Sequence, residues 1–82
     1  MKLFTVIAIE ISKTASFITT QSLGSFKTHA DAKHRLESKA NYEVKHGDDW
    51  VYGPGSNENR EVLVNAAGRK LILDIVDSNN AI

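Results

Sequence analysis

At 82 residues, with 41% apolar side chains and no Cys, the chain is sized for one domain near the limit at which a single core holds without a staple. It can offer no disulfide, no thiolate metal site and no thiol nucleophile. Ten Lys/Arg balance ten Asp/Glu, but residues 1–46 hold seven bases against four acids and residues 47–82 three against six, an excess too small to hold nucleic acid by phosphate neutralisation alone or to imitate it.

Lys2 followed by the apolar run Leu3–Ile9 has the outline of a secretion signal, but Glu10, Ser12 and Lys13 interrupt the run, and Lys13-Thr14-Ala15 has Lys13 where a cleavage site wants a small residue two positions before Ala15. No run approaches the ~20 apolar residues needed to span a bilayer. A cytoplasmic protein without membrane contact is expected. Residues 2–11, KLFTVIAIEI, are β-branched and apolar on both alternating faces, the pattern of a strand inside a sheet. SKTA turns the chain, and SFITTQSL resumes as an antiparallel neighbour with Phe17, Thr19, Gln21 and Leu23 on one face, ending at Gly24.

The next segment opens on Thr28 with Asp31 three residues later, a start resembling a capping box in which the Thr hydroxyl satisfies an orphan helix N–H. About four turns of helix follow, with a narrow apolar stripe of Ala32, Leu36 and Ala40. Such a stripe permits close approach to a sheet and buries little area. The stretch His46–Arg60, HGDDWVYGPGSNENR, holds the only Trp, the only Pro and three of the five Gly. Within it, WVYG reads as a short strand or a structured loop and residues 53–60 as a flexible loop. REVLVNA, a turn at Ala67-Gly68 and RKLILDIV make a hairpin, with Gly68 supplying the positive φ. Residues 78–82 read as a frayed tail.

The order is strand, strand, helix, short strand, strand, strand. Short connections make this a single α+β domain over residues 1–82: an antiparallel sheet of four to five strands with one helix packed on one face. One helix covers only one side, so a semi-apolar sheet face or edge is left for a partner or for a second copy, the latter by pairing of a sheet edge.

The chemistry-bearing residues are scattered. His46-x-Asp48-Asp49 and His29-x-Asp31 have ligand types, but positions two apart in a helix point to different faces and no second His stands at ligand spacing, so no metal and no cofactor are expected. His29, Asp31 and His34 outline a small nuclease or toxin only weakly, because Asp31 with His34 or Arg35 is the usual spacing of a surface ion pair. No P-loop, G-x-S-x-G or G-x-G-x-x-G stands in a strand-to-helix setting, and no enzyme is expected. Lys33, Arg35, Lys39 and Lys45 are the candidate nucleic-acid contacts, diluted by Asp31, Glu37 and Glu43 on the same helix.

Trp50 and Tyr52, two apart between an acidic turn and a Gly/Pro loop, have the composition of a protein contact, although a lone Trp is as often core. The expectation is therefore a small non-enzymatic protein that binds a host protein or protein complex through Asp48, Asp49, Trp50, Tyr52 and Glu58, its acids standing where a nucleic acid would. Size and architecture, without any shared motif, are those of stoichiometric inhibitors and adaptors such as phage or mobile-element anti-defence proteins of the anti-CRISPR kind. The alternative is a nucleic-acid-binding accessory protein.

Overall fold

Two hairpins and a crossing helix build the molecule. A computed structural model of the chain describes residues 3–47 and 49–77. Its elements are β1 (Phe4–Ile11), β2 (Ile18–Phe26), α1 (His29–His46), β3 (Val51–Tyr52), β4 (Arg60–Val64) and β5 (Lys70–Asp77). All five strands form one antiparallel sheet in the order β2-β1-β5-β4-β3. The α+β architecture expected from the sequence is the one observed. Among the described residues no helix is long and apolar enough to cross a membrane. The tail at 78–82 lies outside the described residues.

β1 and β5 pair over eight positions, from Phe4 opposite Asp77 to Ile11 opposite Lys70, and this long-range ladder joins the two hairpins. β2 differs from its sequence reading. Gly24 does not end the strand but pairs with Val6 inside it, and the register shifts by one residue at Val6/Ile7. The extra residue is Leu23: the shift lets Leu23 and Phe26 both pack against the core, which strict alternation would forbid.

β2 and β3 are opposite edges, so α1, which connects them, must cross the whole sheet. At 1.5 Å per residue its 18 residues span about 27 Å, against about 19 Å for four strand spacings, enough to cover one face from edge to edge. Thr28 caps it with extended backbone, and its Oγ1 accepts from Asp31 N at 3.2 Å. Ala32, Leu36 and Ala40 are all at most 1% exposed and lie on Val6, Ala8, Leu63, Leu71, Leu73 and Ile75. The alanines bring helix and sheet backbones close, while Leu36, Leu63, Leu73 and Val6 each contribute roughly 2 kcal/mol by burial.

The β4–β5 turn is as the sequence indicates. Gly68 takes φ 83°, and Asn65 Oδ1 accepts from the N–H groups of Ala67 and Arg69. The 53–60 segment, expected to be flexible from its composition, is tied at many points. Gly53 N donates to Val62 O, Ser56 Oγ accepts from Val62 N, Asn57 pairs with Arg60, and Ile75 N donates to Asn59 O. Two further ties reach α1: His29 Nε2–H to Asn59 Oδ1 at 2.6 Å, and Lys33 Nζ to Glu58 O at 3.1 Å.

The sheet face turned away from α1 carries Ile7, Ile9 and Ile11 of β1, Ile72 and Val76 of β5, and Ile18 of β2, with Val51, Val62 and Val64 toward the other edge. Among the described residues no helix covers this side. Val62 is nonetheless only 5% exposed, because the Gly53–Ser56 turn folds over it.

Candidate contact surface

Trp50 follows the end of α1, and the structure removes it from the surface. Its ring is 4% exposed and belongs to the core. Gly47 makes this possible: a Cβ there would meet Trp50 Cδ1 at 2.6 Å and Glu43 O at 2.7 Å, so only glycine lets the indole fold back against the helix end. Arg69 lies over the indole at 5.6 Å from the ring centroid and is held by an ion pair with Glu10. The physical reason for the burial is therefore distributed. The helix end at Gly47 and Arg69 after the β4–β5 turn meet the ring, Glu10 of β1 holds Arg69 there, and a ring so buried cannot serve as an exposed contact.

Tyr52 remains at the surface, 48% exposed, on the helix side of the sheet opposite Leu63. Its phenol O–H donates to Asn41 Oδ1 on α1, pinning β3 to the helix. Partial burial, and then the carboxylates of Glu61 and Glu37, hold its pKa above the usual 10.0. Asp49, with φ 61° in the left-handed region that Asp tolerates, is exposed just before this strand. Asp48 lies outside the described residues.

Glu58 does not join this group. Its carbonyl is held by Lys33 in the second turn of α1, whereas Asp49 follows the last turn, about 20 Å away along the helix axis. The contact surface expected from the sequence thus resolves into Tyr52 and Asp49 at one end of α1, a buried Trp50 beneath them, and Glu58 at the other end.

A second exposed tyrosine completes the near end. Tyr42 is 58% exposed and packs on His46 with ring centroids 4.9 Å apart, and Lys39 Nζ lies 5.8 Å from its ring. Successive helix positions turn by roughly 100°, so Lys45 points straight outward with Tyr42 on one flank and Asn41, carrying Tyr52, on the other. Ser38, Val44 and His46 complete a shallow hollow around Lys45. The signal was present in the sequence as helical spacing; it was missed because Tyr52 lies on a strand that only the fold brings to Asn41.

The basic residues do not form one track. Lys33 leans toward Glu58 and lies 3.9 Å from Glu37, on the β4 side of α1. Lys39 sits on the opposite flank, bonded to Glu43 at 2.8 Å in a recess lined by Thr19 and Gln21 of β2. Arg35 is half-buried and Lys45 faces outward. Interleaved acids neutralise two of the four.

His29, Asp31 and His34 do not converge either. His29 turns toward the sheet, where it meets Asn59 and stacks edge-on against Phe4, while Asp31 and His34 are exposed. Among the described residues no three His, Asp or Glu side chains are placed to share a metal ion. No protein-family model matches the chain, and no curated protein or solved structure matches it either.

Proposed function

We infer that the protein is a non-catalytic binding module that engages a host protein or protein complex through the outward face of the C-terminal half of α1. Tyr42 and Tyr52 are the anchors, with Lys45, His46 and Asp49 as the polar surround. The observation that carries this reading is the presence of two half-exposed tyrosines, Tyr42 on α1 and Tyr52 on β3 bonded to Asn41 of the same helix, each already held in place by polar or ring contacts. Tyrosine presents large amphipathic area at little rotamer cost, and anchoring it before binding lowers the entropy lost on association. A small bipolar chain with such a surface suits a stoichiometric inhibitor or adaptor, and among these a phage or mobile-element anti-defence protein of the anti-CRISPR kind.

The test is affinity capture from lysate of the native host with wild-type protein and with a Tyr42→Ala/Tyr52→Ala variant, each with and without nuclease. Near-stoichiometric recovery of one protein complex by the wild type, resistant to nuclease and lost in the folded double variant, is expected. Equal recovery by the double variant would reject this surface. Recovery that disappears with nuclease would move the function to nucleic-acid binding.

A further inference from the structure

The uncovered sheet face has features of a buried one. Ile7, Ile9 and Ile72 sit side by side on the two central strands, and Ile18 and Val51, 57% and 55% exposed, mark its lateral limits. Every aliphatic residue on this side is β-branched, which favours a stiff, well-defined surface. Two charges on it cancel: Arg60 Nη2 and Asp74 Oδ2 are 3.1 Å apart on neighbouring strands. Covering this pair would not strand either charge, and Lys70 stands at the opposite end of β5, where its long side chain can reach water.

We propose that this face is closed by a second copy of the same chain, sheet on sheet across a two-fold axis, with both helices outside. The proposal does not depend on the tyrosine surface, which lies on the other side of the sheet.

Area supports it. With Val62 of β4 already under the Gly53–Ser56 turn, the open strands β1, β2 and β5 occupy roughly 400 Å² in flat projection at ~3.4 Å per residue and ~4.8 Å per strand. Two such faces give roughly 800 Å², and the relief of their side chains brings the buried area to the ~1,000 Å² that a specific interface needs. Core size supports it as well. Of the eleven buried apolar residues among those described, three are alanines, and a chain of 82 residues without disulfides has little reserve. A second core made from Ile and Val on both copies supplies what one helix cannot. Two antiparallel sheets pack face to face at about 10 Å with strands within about 30° of alignment, and interdigitating β-branched side chains suit that geometry. The resulting assembly presents two tyrosine surfaces on opposite sides.

The competing self-association is edge pairing through β2, a nine-residue edge strand without a charge or a proline. Its Thr20 has its N–H directed away from β1, by the alternation that follows from the bond of Ser12 N to Phe17 O. The experiment separates the two arrangements. Sedimentation equilibrium on the wild-type chain, across a concentration series, should show a dimer, with a melting temperature that rises with concentration. Ile72→Lys should be monomeric with native circular dichroism, whereas Thr20→Pro, tolerated at an edge N–H, should remain dimeric. Should Ile72→Lys fail to fold, Ile18→Lys and Val76→Lys replace it, since both positions are already exposed in the single chain. A wild-type chain that stays monomeric with a concentration-independent melting temperature overturns the proposal. So does a dimer that survives the lysine variants and is lost in Thr20→Pro, which would be edge pairing.

Discussion

Both faces of the sheet carry apolar residues, but leucine and alanine stand on the helix side alone. Beneath α1 stand Val6, Ala8, Leu63, Leu71, Leu73 and Ile75, all at most 9% exposed; on the other side the aliphatics are isoleucine and valine alone. Leucine and alanine suit a helix, because a small residue lets backbones approach and a γ-branched one fills the groove beside it. Isoleucine and valine suit the strand itself and a facing sheet. The composition of a face thus records its neighbour as well as its burial.

The largest loss is expected on the covered side, at the Trp50 end of the core. Trp50→Ala removes a core ring that lies against Gly47 and beneath Arg69, and should cost about 3–5 kcal/mol, comparable to the whole stability of a small domain. Urea unfolding should show a chain that is largely unfolded at the start of the titration. In the wild type, the single Trp should emit as a buried indole and resist collisional quenching until the cooperative transition. Emission typical of exposed indole in the native state would refute its place in the core.

Next comes a matched pair across the sheet. Leu36→Ala, under the helix, should cost about 2–5 kcal/mol regardless of protein concentration. Ile72→Ala, on the open face, should cost less in dilute solution, and its deficit should widen as concentration rises and the wild type gains from association. Equal deficits for both variants at every concentration would mean that the open face is not closed by a partner copy.

How much of this contrast could be read beforehand depends on how local its causes are. The helix start at Thr28, the stripe Ala32-Leu36-Ala40 and the turn at Gly68 were legible, because capping, the 3.6-residue period and positive φ act over a few neighbouring residues. The uncovered face was legible in outline too, since one helix cannot cover two sides. The burial of Trp50 was not, because Glu10 and Arg69 come from distant parts of the chain. Nor was the separation of Asp49 from Glu58, which are nine positions apart in sequence but lie at opposite ends of α1 once 53–60 is tied to Lys33 and His29. The bulge at Leu23 eluded the alternation pattern for a similar reason: Gly24 reads as a terminator, and only pairing with β1 shows the strand continuing.

A smaller effect sharpens the helix side alone. Thr28→Ala removes the acceptor for Asp31 N and should destabilise by about 1 kcal/mol, with Thr28→Ser retaining most of the stability. Fraying of the first turn would loosen the His29–Asn59 contact, so hydrogen exchange should quicken in α1's first turn and at Asn59 together. Exchange confined to residues 29–31 would show that the 53–60 segment is held without the helix.

The smallest expected effect concerns Tyr52, where the helix side meets the sheet edge. Its phenol ionises above 10.0 in the folded state because partial burial and the nearby Glu61 and Glu37 oppose a further negative charge, whereas the unfolded chain ionises at the ordinary value. Between those two points the unfolded state has already lost the proton that the folded state retains. Stability contributed by Tyr52 is therefore fully present below pH 10 and declines as pH rises toward the folded pKa, the direction that linkage requires. Glu61→Gln or Glu37→Gln should lower the ionisation midpoint, read by tyrosinate absorbance in a Tyr42→Phe background, and should flatten the alkaline decline. Asn41→Ala removes the acceptor of the phenol proton, an interaction made only by the neutral form, and should also lower the midpoint. An unchanged midpoint in all three variants would mean that β3 is not docked on α1 through Tyr52, and the helix side would lose one of its two anchors.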